Sequence, residues 1–199
     1  MTPSAPTLPT AQNNVTPVAA LTYIHGRAHW GLRPQLAVLG ISMDDAVSAA
    51  GGAIFDLSMA GWEVTVVAGE LDNPRPARIL GADAIDLDTV LGRRRVLQPQ
   101  ALAISGALMA AEDRLRGRVQ ECLDRGTIEV STWGQQYAGM TGDRAESTTH
   151  RLSHAARVFK QQALRVVRGE VDAVAPTESF CTRATSRSAP QARTGWPVG

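Results

Sequence analysis

The sequence is poor in cysteine, aromatic residues and lysine, and it contains no long apolar run. Its two cysteines, Cys122 and Cys181, are too few and too far apart for a disulfide framework or a zinc ribbon. No stretch approaches about 18 consecutive apolar residues, so no membrane-spanning helix is predicted. The first 20 residues lack the charged and apolar regions of a signal peptide, and we therefore expect a cytoplasmic protein. Lys160 is the only lysine of the chain.

The charge of the chain is almost balanced. Its 20 basic and 19 acidic residues give a formal net charge of +1. This balance argues against a strongly basic nucleic-acid-binding protein and against an acidic disordered protein. With 199 residues, of which 44% are hydrophobic, the chain is long enough to form one domain with a sizeable core.

Composition divides the chain into three parts. Residues 1–34 are rich in Pro, Thr, Ala and Asn without any period, which predicts a flexible N-terminal arm. Residues 35–176 alternate apolar runs with segments of helical spacing, and form the predicted folded domain. Residues 177–199 are rich in Ser, Thr, Arg and Pro, and we expect a poorly ordered tail there.

The domain begins with a pattern typical of a parallel strand–helix–strand unit. Residues 36–41 form a short apolar run, residues 46–60 show helical spacing, and residues 63–67 are rich in β-branched side chains. Further elements expected along the chain are a weakly helical stretch up to residue 91, helices over 107–123 and 151–168, and strands over 128–133 and 171–175. This alternation predicts an α/β protein, a Rossmann-like three-layer fold with a mostly parallel sheet.

Two groups of side chains are candidates for chemistry. Asp44 and Asp45 follow the first strand, where one carboxylate could cap the helix while the other serves as metal ligand or general base. His150 and His154 are four residues apart, and on a helix they would share one face. Without a glutamate between them they are a weak metal motif, and a purely structural role for them is at least as well supported.

Glycines also mark the first helix, where Gly51 and Gly52 lie in its interior. Two helical glycines cost about 1 kcal/mol each relative to alanine, so another segment must approach closely there. The packing strand, or the loop after the second strand, is the simplest candidate for that segment. No GxGxxG sequence or other phosphate-binding loop follows the first strand, which disfavours a nucleotide-binding domain.

Residues 36–70, LAVLGISMDDAVSAAGGAIFDLSMAGWEVTVVAGE, resemble the start of the LmbE-like, or PIG-L, family of zinc-dependent sugar N-deacetylases. That family starts with an apolar strand, Pro-His-Pro-Asp-Asp-Glu, Gly-Gly, a helix ending in Ala-Gly, Val-Thr-Val-Val and Thr-Asp-Gly-Glu. The matching residues are in register without gaps. After residue 70 the resemblance continues only as a similar order of elements, up to about residue 176.

The resemblance implies roles for three candidate site residues. Asp44 would be the general base, while Asp45 and His150 would remain as zinc ligands, with His154 as the alternative to His150. Ser42 stands where the family has its first zinc-binding histidine, and Ser147-Thr148-Thr149-His150 keeps only the last residue of a His-Pro-Asp-His segment. A catalytic zinc needs three protein ligands, so the loss of one predicts that zinc binding is weak or lost.

Two interpretations follow for function. In the first, the chain is a diverged relative whose family reaction is zinc-dependent hydrolytic deacetylation of N-acetylglucosamine-containing substrates, with little or no activity left. In the second, it is a non-catalytic module on the same fold, or a truncated relic, that binds a sugar or a partner. In both, the expected ligand is an N-acetylated sugar conjugate.

Overall fold

The computed structural model describes residues 33–92, 99–126, 128–135 and 145–183. All of them belong to one compact unit, Gly31–Gly199. Almost all of the predicted N-terminal arm, and the chain after residue 183, lie outside the described residues.

Seven strands and six helices follow one another along the described chain. The strands are β1 (Gln35–Ser42), β2 (Glu63–Glu70), β3 (Asp83–Asp86), β4 (Ala101–Ser105), β5 (Glu129–Trp133), β6 (Ala145–Arg151) and β7 (Thr177–Arg183). The helices are α1 (Met43–Met59), α2 (Arg75–Ile79), α3 (Leu87–Gly92), α4 (Gly106–Ala111), α5 (Asp113–Arg125) and α6 (His154–Arg168).

The strands form a single sheet in the order β3-β2-β1-β4-β5-β7-β6. Strands β1 to β5 are all parallel, and β1 lies between β2 and β4 in the middle of this set. β7 runs antiparallel to both of its neighbours, β5 and β6. The predicted α/β fold with a mostly parallel sheet is therefore confirmed, and residues 36–41 form the expected central strand.

Helices cover both faces of the sheet. Alternate residues of β1, Ala37 and Leu39, join one core cluster together with Leu108 of α4 and Val119 of α5. On the opposite face α1 packs against β1, β2 and α6. Five consecutive residues of β1 are buried, as a strand covered on both faces requires.

Four sequence-based expectations about elements are wrong. The helix expected over 107–123 is interrupted at Glu112, whose extended backbone separates α4 from α5. β3 lies in the stretch expected to be weakly helical, and β4 lies where no element was expected. β6 lies before the last helix, where no element was expected either. Residues 171–175 form no strand, and the last strand of the described chain is instead β7.

The expected disorder from residue 177 is also contradicted, up to Arg183, because β7 lies inside the sheet. Its side chains alternate, with Glu178, Phe180 and Thr182 buried, but two of these three are polar. That polarity hides the strand from a search for apolar runs.

Within the described residues, no helix is both long enough and apolar enough to cross a membrane.

Candidate functional site

The site predicted from the sequence lies where β1 ends and α1 begins. The Ser42 side chain caps α1 by accepting a hydrogen bond from the Asp45 amide over 3.2 Å. In return, Asp45 Oδ2 accepts a hydrogen bond of 3.1 Å from the amide of Ile41, near the end of β1. Ser42, which the resemblance aligns with a zinc-binding histidine, therefore serves as the N-cap of α1.

The other oxygen of Asp45 binds a side chain from a different strand. Trp133 Nε1, at the end of β5, donates to Asp45 Oδ1 over 3.0 Å. β4 lies between β1 and β5, so the two side chains together bridge two strand spacings, about 10 Å, to make this contact. The strand order reverses between β1 and β4, because the chain runs from β1 outward to β3 and then crosses back to β4, and parallel sheets of this type bind ligands in a crevice at such a point. Trp133 is buried, and its indole N–H lies beside this point, at Asp45.

Asp44 is held by the last turn of α6. Arg168 binds both of its oxygens, Nε to Oδ1 and a terminal nitrogen to Oδ2, and the second of these contacts is 2.7 Å long. The same guanidinium donates to Ser48 Oγ over 2.7 Å. The hydrogen bonding between Arg168 and Asp44 raises the pKa of Arg168, so its guanidinium stays protonated. Both side chains are partly exposed, which makes the pair a solvent-screened tie between α1 and α6.

The structure does not bring His150 to these aspartates. His150 lies on β6, fully buried, with Nε2 3.0 Å from Asp56 Oδ2. Asp56 is eleven residues beyond Asp45 on α1, a rise of about 16 Å along the helix. His154 is the first residue of α6 and is exposed, so the two histidines do not share a helical face.

His150 belongs instead to a small buried network with Asp56 and Ser153. Asp56 Oδ2 also accepts a hydrogen bond of 3.1 Å from the Ser153 amide. Burial alone would raise the pKa of Asp56, but the hydrogen bonds from His150 and Ser153 outweigh burial and lower it. Asp56 is therefore a stable carboxylate, and the other ring nitrogen of His150, Nδ1, is buried without a hydrogen-bond partner.

The described side chains do not fit a zinc ion. Of the three expected zinc-site positions, Ser42 caps a helix, Asp45 accepts two protein hydrogen bonds, and His150 is bound to Asp56. Among residues 33–92, 99–126, 128–135 and 145–183, no three His, Cys, Asp or Glu side chains are close enough to hold a metal ion. The ligand set implied by the resemblance is therefore not assembled there.

Sequence reasoning missed a buried ion pair behind the site. Lys160 Nζ lies 2.5 Å from Glu178 Oε1 and 2.7 Å from the Ser48 carbonyl oxygen. Glu178 also accepts hydrogen bonds from the amides of Gly52, at 2.7 Å, and Ala53, at 2.9 Å. The pair thus joins α6 and β7 to the middle of α1. A signal was present, because Lys160 lies four residues after Ala156 and four before Leu164, on the buried stripe of α6.

Close packing by Lys160 and Leu152 explains the two helical glycines. A Cβ on Gly51 would lie 3.1 Å from Lys160 Cγ, and one on Gly52 would lie 2.2 Å from Leu152 Cγ. The close approach predicted at this point is real. The approaching groups are Lys160 of α6 and Leu152, just before that helix, rather than a neighbouring strand or the loop after β2.

The fold is similar to that of a deacetylase. A deacetylase triple mutant (Orf2*T) of the teicoplanin biosynthetic pathway aligns over 78% of this chain and 100% of its own, with a TM-score of 0.50 and 11% identity. The same pathway's deacetylase in complex with teicoplanin aligns over 77% and 100%, also with a TM-score of 0.50 and 11% identity. The fold implied by the resemblance to LmbE-like deacetylases is therefore confirmed.

This fold also occurs in an enzyme of another reaction class. GalB, the 4-carboxy-2-hydroxymuconate hydratase of Pseudomonas putida KT2440, aligns over 80% of this chain and 99% of its own, with a TM-score of 0.52 and 15% identity. No protein-family model and no curated protein sequence matches the chain. Similarity at this level establishes the fold alone, and the function has to be argued from the site.

Proposed function

We propose that this protein is a diverged relative of the LmbE-like deacetylases that has lost zinc-dependent hydrolysis and binds N-acetylated sugar conjugates without cleaving them. Two observations support the relationship. Residues 36–70 follow the family's opening pattern in register, and the fold is similar to that of the teicoplanin deacetylase.

The hydrogen bond from Trp133 Nε1 to Asp45 Oδ1 is the observation that carries the loss of activity. In the family's arrangement this carboxylate would bind the metal, and the metal would make hydroxide available near neutral pH. Here a buried indole N–H takes one of its oxygens and a backbone amide takes the other. Asp44, the residue in the position of the general base, is paired with Arg168.

Sugar binding is supported by the place and chemistry of the same groups. The crevice between β1 and β4 is where a sheet of this topology binds ligands. Carboxylates are groups that accept hydrogen bonds from sugar hydroxyls and from the N–H of an acetamide. Teicoplanin, a glycopeptide, is the ligand in one complex of the similar deacetylase.

The test measures metal content, turnover and binding on the full chain. Purified protein is dialysed with zinc, analysed for bound metal, and assayed for acetate release from N-acetylglucosamine and its conjugates. Ser42→His restores the missing imidazole, and Ser42→Ala is the matched control that loses the same helix cap. We expect less than one zinc per chain in all three proteins, and no turnover near the 1 s⁻¹ or more that is typical of enzymes.

Binding is measured separately by saturation-transfer NMR with N-acetylglucosamine. A saturable signal without acetate release is the expected result. Stoichiometric zinc together with acetate release by the wild-type protein would contradict the proposed loss of activity. Absence of any sugar signal would contradict the proposed binding role.

A further inference from the structure

The position of Trp133 leads to a more specific conclusion about how the site is opened. Its side chain is almost completely buried, at 7% exposure, and its only hydrogen bond given by the structure is to Asp45. The chain continues through Gly134, whose φ of +74° is a conformation that favours glycine. The tryptophan is therefore followed directly by a turn.

The segment after Trp133 is packed tightly over the start of α4. A Cβ added to Gly106 would lie 1.7 Å from the Gln135 carbonyl oxygen and 3.2 Å from the Trp133 carbonyl oxygen. Gly106 follows β4, the strand on one side of the crevice. Backbone of the β5 end and the indole of Trp133 together cover this side of the crevice.

We infer that Trp133 is a gate, and that a ligand enters the crevice only by displacing its indole N–H from Asp45. This inference rests on the proposed sugar-binding function and adds the chemistry that the ligand must have. It has to donate a hydrogen bond to Asp45, in place of the indole, because a partly buried carboxylate oxygen left without a donor is unfavourable.

The same reasoning selects the class of ligand. A hydroxyl or amide N–H of the ligand satisfies Asp45 in place of the indole. A ligand that presents a carboxylate or phosphate to Asp45 cannot donate this hydrogen bond and is repelled by the like charge, and Arg168 is already paired with Asp44. The gate therefore admits uncharged acetamido sugars and rejects their acidic analogues.

The experiment follows the indole N–H signals of the ¹⁵N-labelled full chain during titration with N-acetylglucosamine. The Trp133 signal is identified by its absence from Trp133→Phe. We expect this signal to move in proportion to saturation, and N-acetylmuramic acid, which carries a carboxylate, to leave it in place.

The variants measure the strength of the gate. Trp133→Phe removes the hydrogen bond that a ligand has to break, and we expect its affinity for N-acetylglucosamine to be about 10-fold higher than that of the wild type. Trp62→Phe is the matched control, because Trp62 is buried to a similar degree but lies at the opposite end of the sheet, just before β2.

The outcomes separate the two proposals. If the sugar binds but the Trp133 signal does not move, the gate is wrong while the binding function stands. Equal affinity of Trp133→Phe and wild type for the sugar leads to the same conclusion. If neither protein binds the sugar, both proposals are wrong. If Trp133→Phe does not fold, the Trp133 signal is assigned from Trp30→Phe, Trp62→Phe and Trp196→Phe, each of which removes one of the other three indole signals, and the wild-type titration still tests the gate.

Discussion

Replacing Lys160 with methionine should destabilise the protein more than any surface substitution. The change keeps most of the side-chain length but removes the ammonium that binds Glu178 Oε1 and the Ser48 carbonyl. Glu178 then remains as a buried carboxylate with only the amides of Gly52 and Ala53 as partners. Breaking a buried pair from one side costs about 3–5 kcal/mol, a large part of the 5–15 kcal/mol that typically holds a domain together.

Removing both charges should cost less than the two single changes added together. In Lys160→Met/Glu178→Leu no unpaired charge is left inside. The Ser48 carbonyl and the Gly52 amide, which the pair had bound, are i, i+4 partners on α1 and can bond to each other. We therefore expect a coupling energy of about 2–3 kcal/mol in the double-mutant cycle.

Urea denaturation of the four proteins of this cycle provides the free energies of unfolding. The exposed pair Arg125–Glu121, one helical turn apart on α5, is the control, and its cycle should give less than about 1 kcal/mol. Two results would refute the reasoning: a cost for Lys160→Met no larger than that for Arg125→Met, or strict additivity of the two buried changes.

Three further predictions concern α1 and its contacts. Gly52→Ala should lower the midpoint of thermal unfolding, although alanine favours helices, because the new Cβ would lie 2.2 Å from Leu152 Cγ. Gly117→Ala on α5 is the control: its new Cβ would have no neighbouring atom within 4 Å, so this substitution should raise the midpoint. Asp56→Asn should destabilise the protein at pH 7, and its free energy of unfolding should approach that of the wild type as the pH falls below 3.8. The reason is that the pKa of Asp56 is lowered by folding, so the ionised carboxylate stabilises the folded protein above pH 3.8, and this stabilisation is lost as the folded carboxylate is protonated at lower pH. A difference in free energy of unfolding between the two proteins that stays constant down to pH 2.5 would contradict this explanation. Ser42→Ala should cost about 1 kcal/mol in urea denaturation through the lost N-cap, and an unchanged midpoint would show that the cap contributes nothing.

The elements that could be predicted are those whose signal is local. β1 is a continuous apolar run, and α1 follows it with helical spacing and a capping serine, so both are visible in a short window. β6 and β7 carry mostly polar residues, such as Glu146 and Thr148 on one and Glu178 on the other. They are strands because β6 pairs with β7 and β7 pairs with β5, and no short window contains these partners.

Only part of the site was predicted, again because only part of its signal is local. Asp44 and Asp45 lie at the carboxyl edge of the sheet, where a position directly after the central strand must place them. The partners that hold them, Arg168 and Trp133, are 124 and 88 residues away and became visible only with the fold. His150 was assigned to the edge through the resemblance, but its position on β6 places it beside Asp56.

The position of β7 has a consequence for how the chain is made. β7 comes last among the described strands, yet it lies between β5 and β6, so neither of those can complete its ladder until residue 183 has been synthesised. During that time β5 exposes a row of unpaired amides and carbonyls, and open strand edges are where chains associate wrongly. A nascent or shortened chain that stops before Thr177 also lacks the carboxylate that neutralises Lys160. The solubility of the newly synthesised protein should therefore depend more on how fast β7 pairs with β5 and β6 than on how fast the N-terminal half of the domain folds.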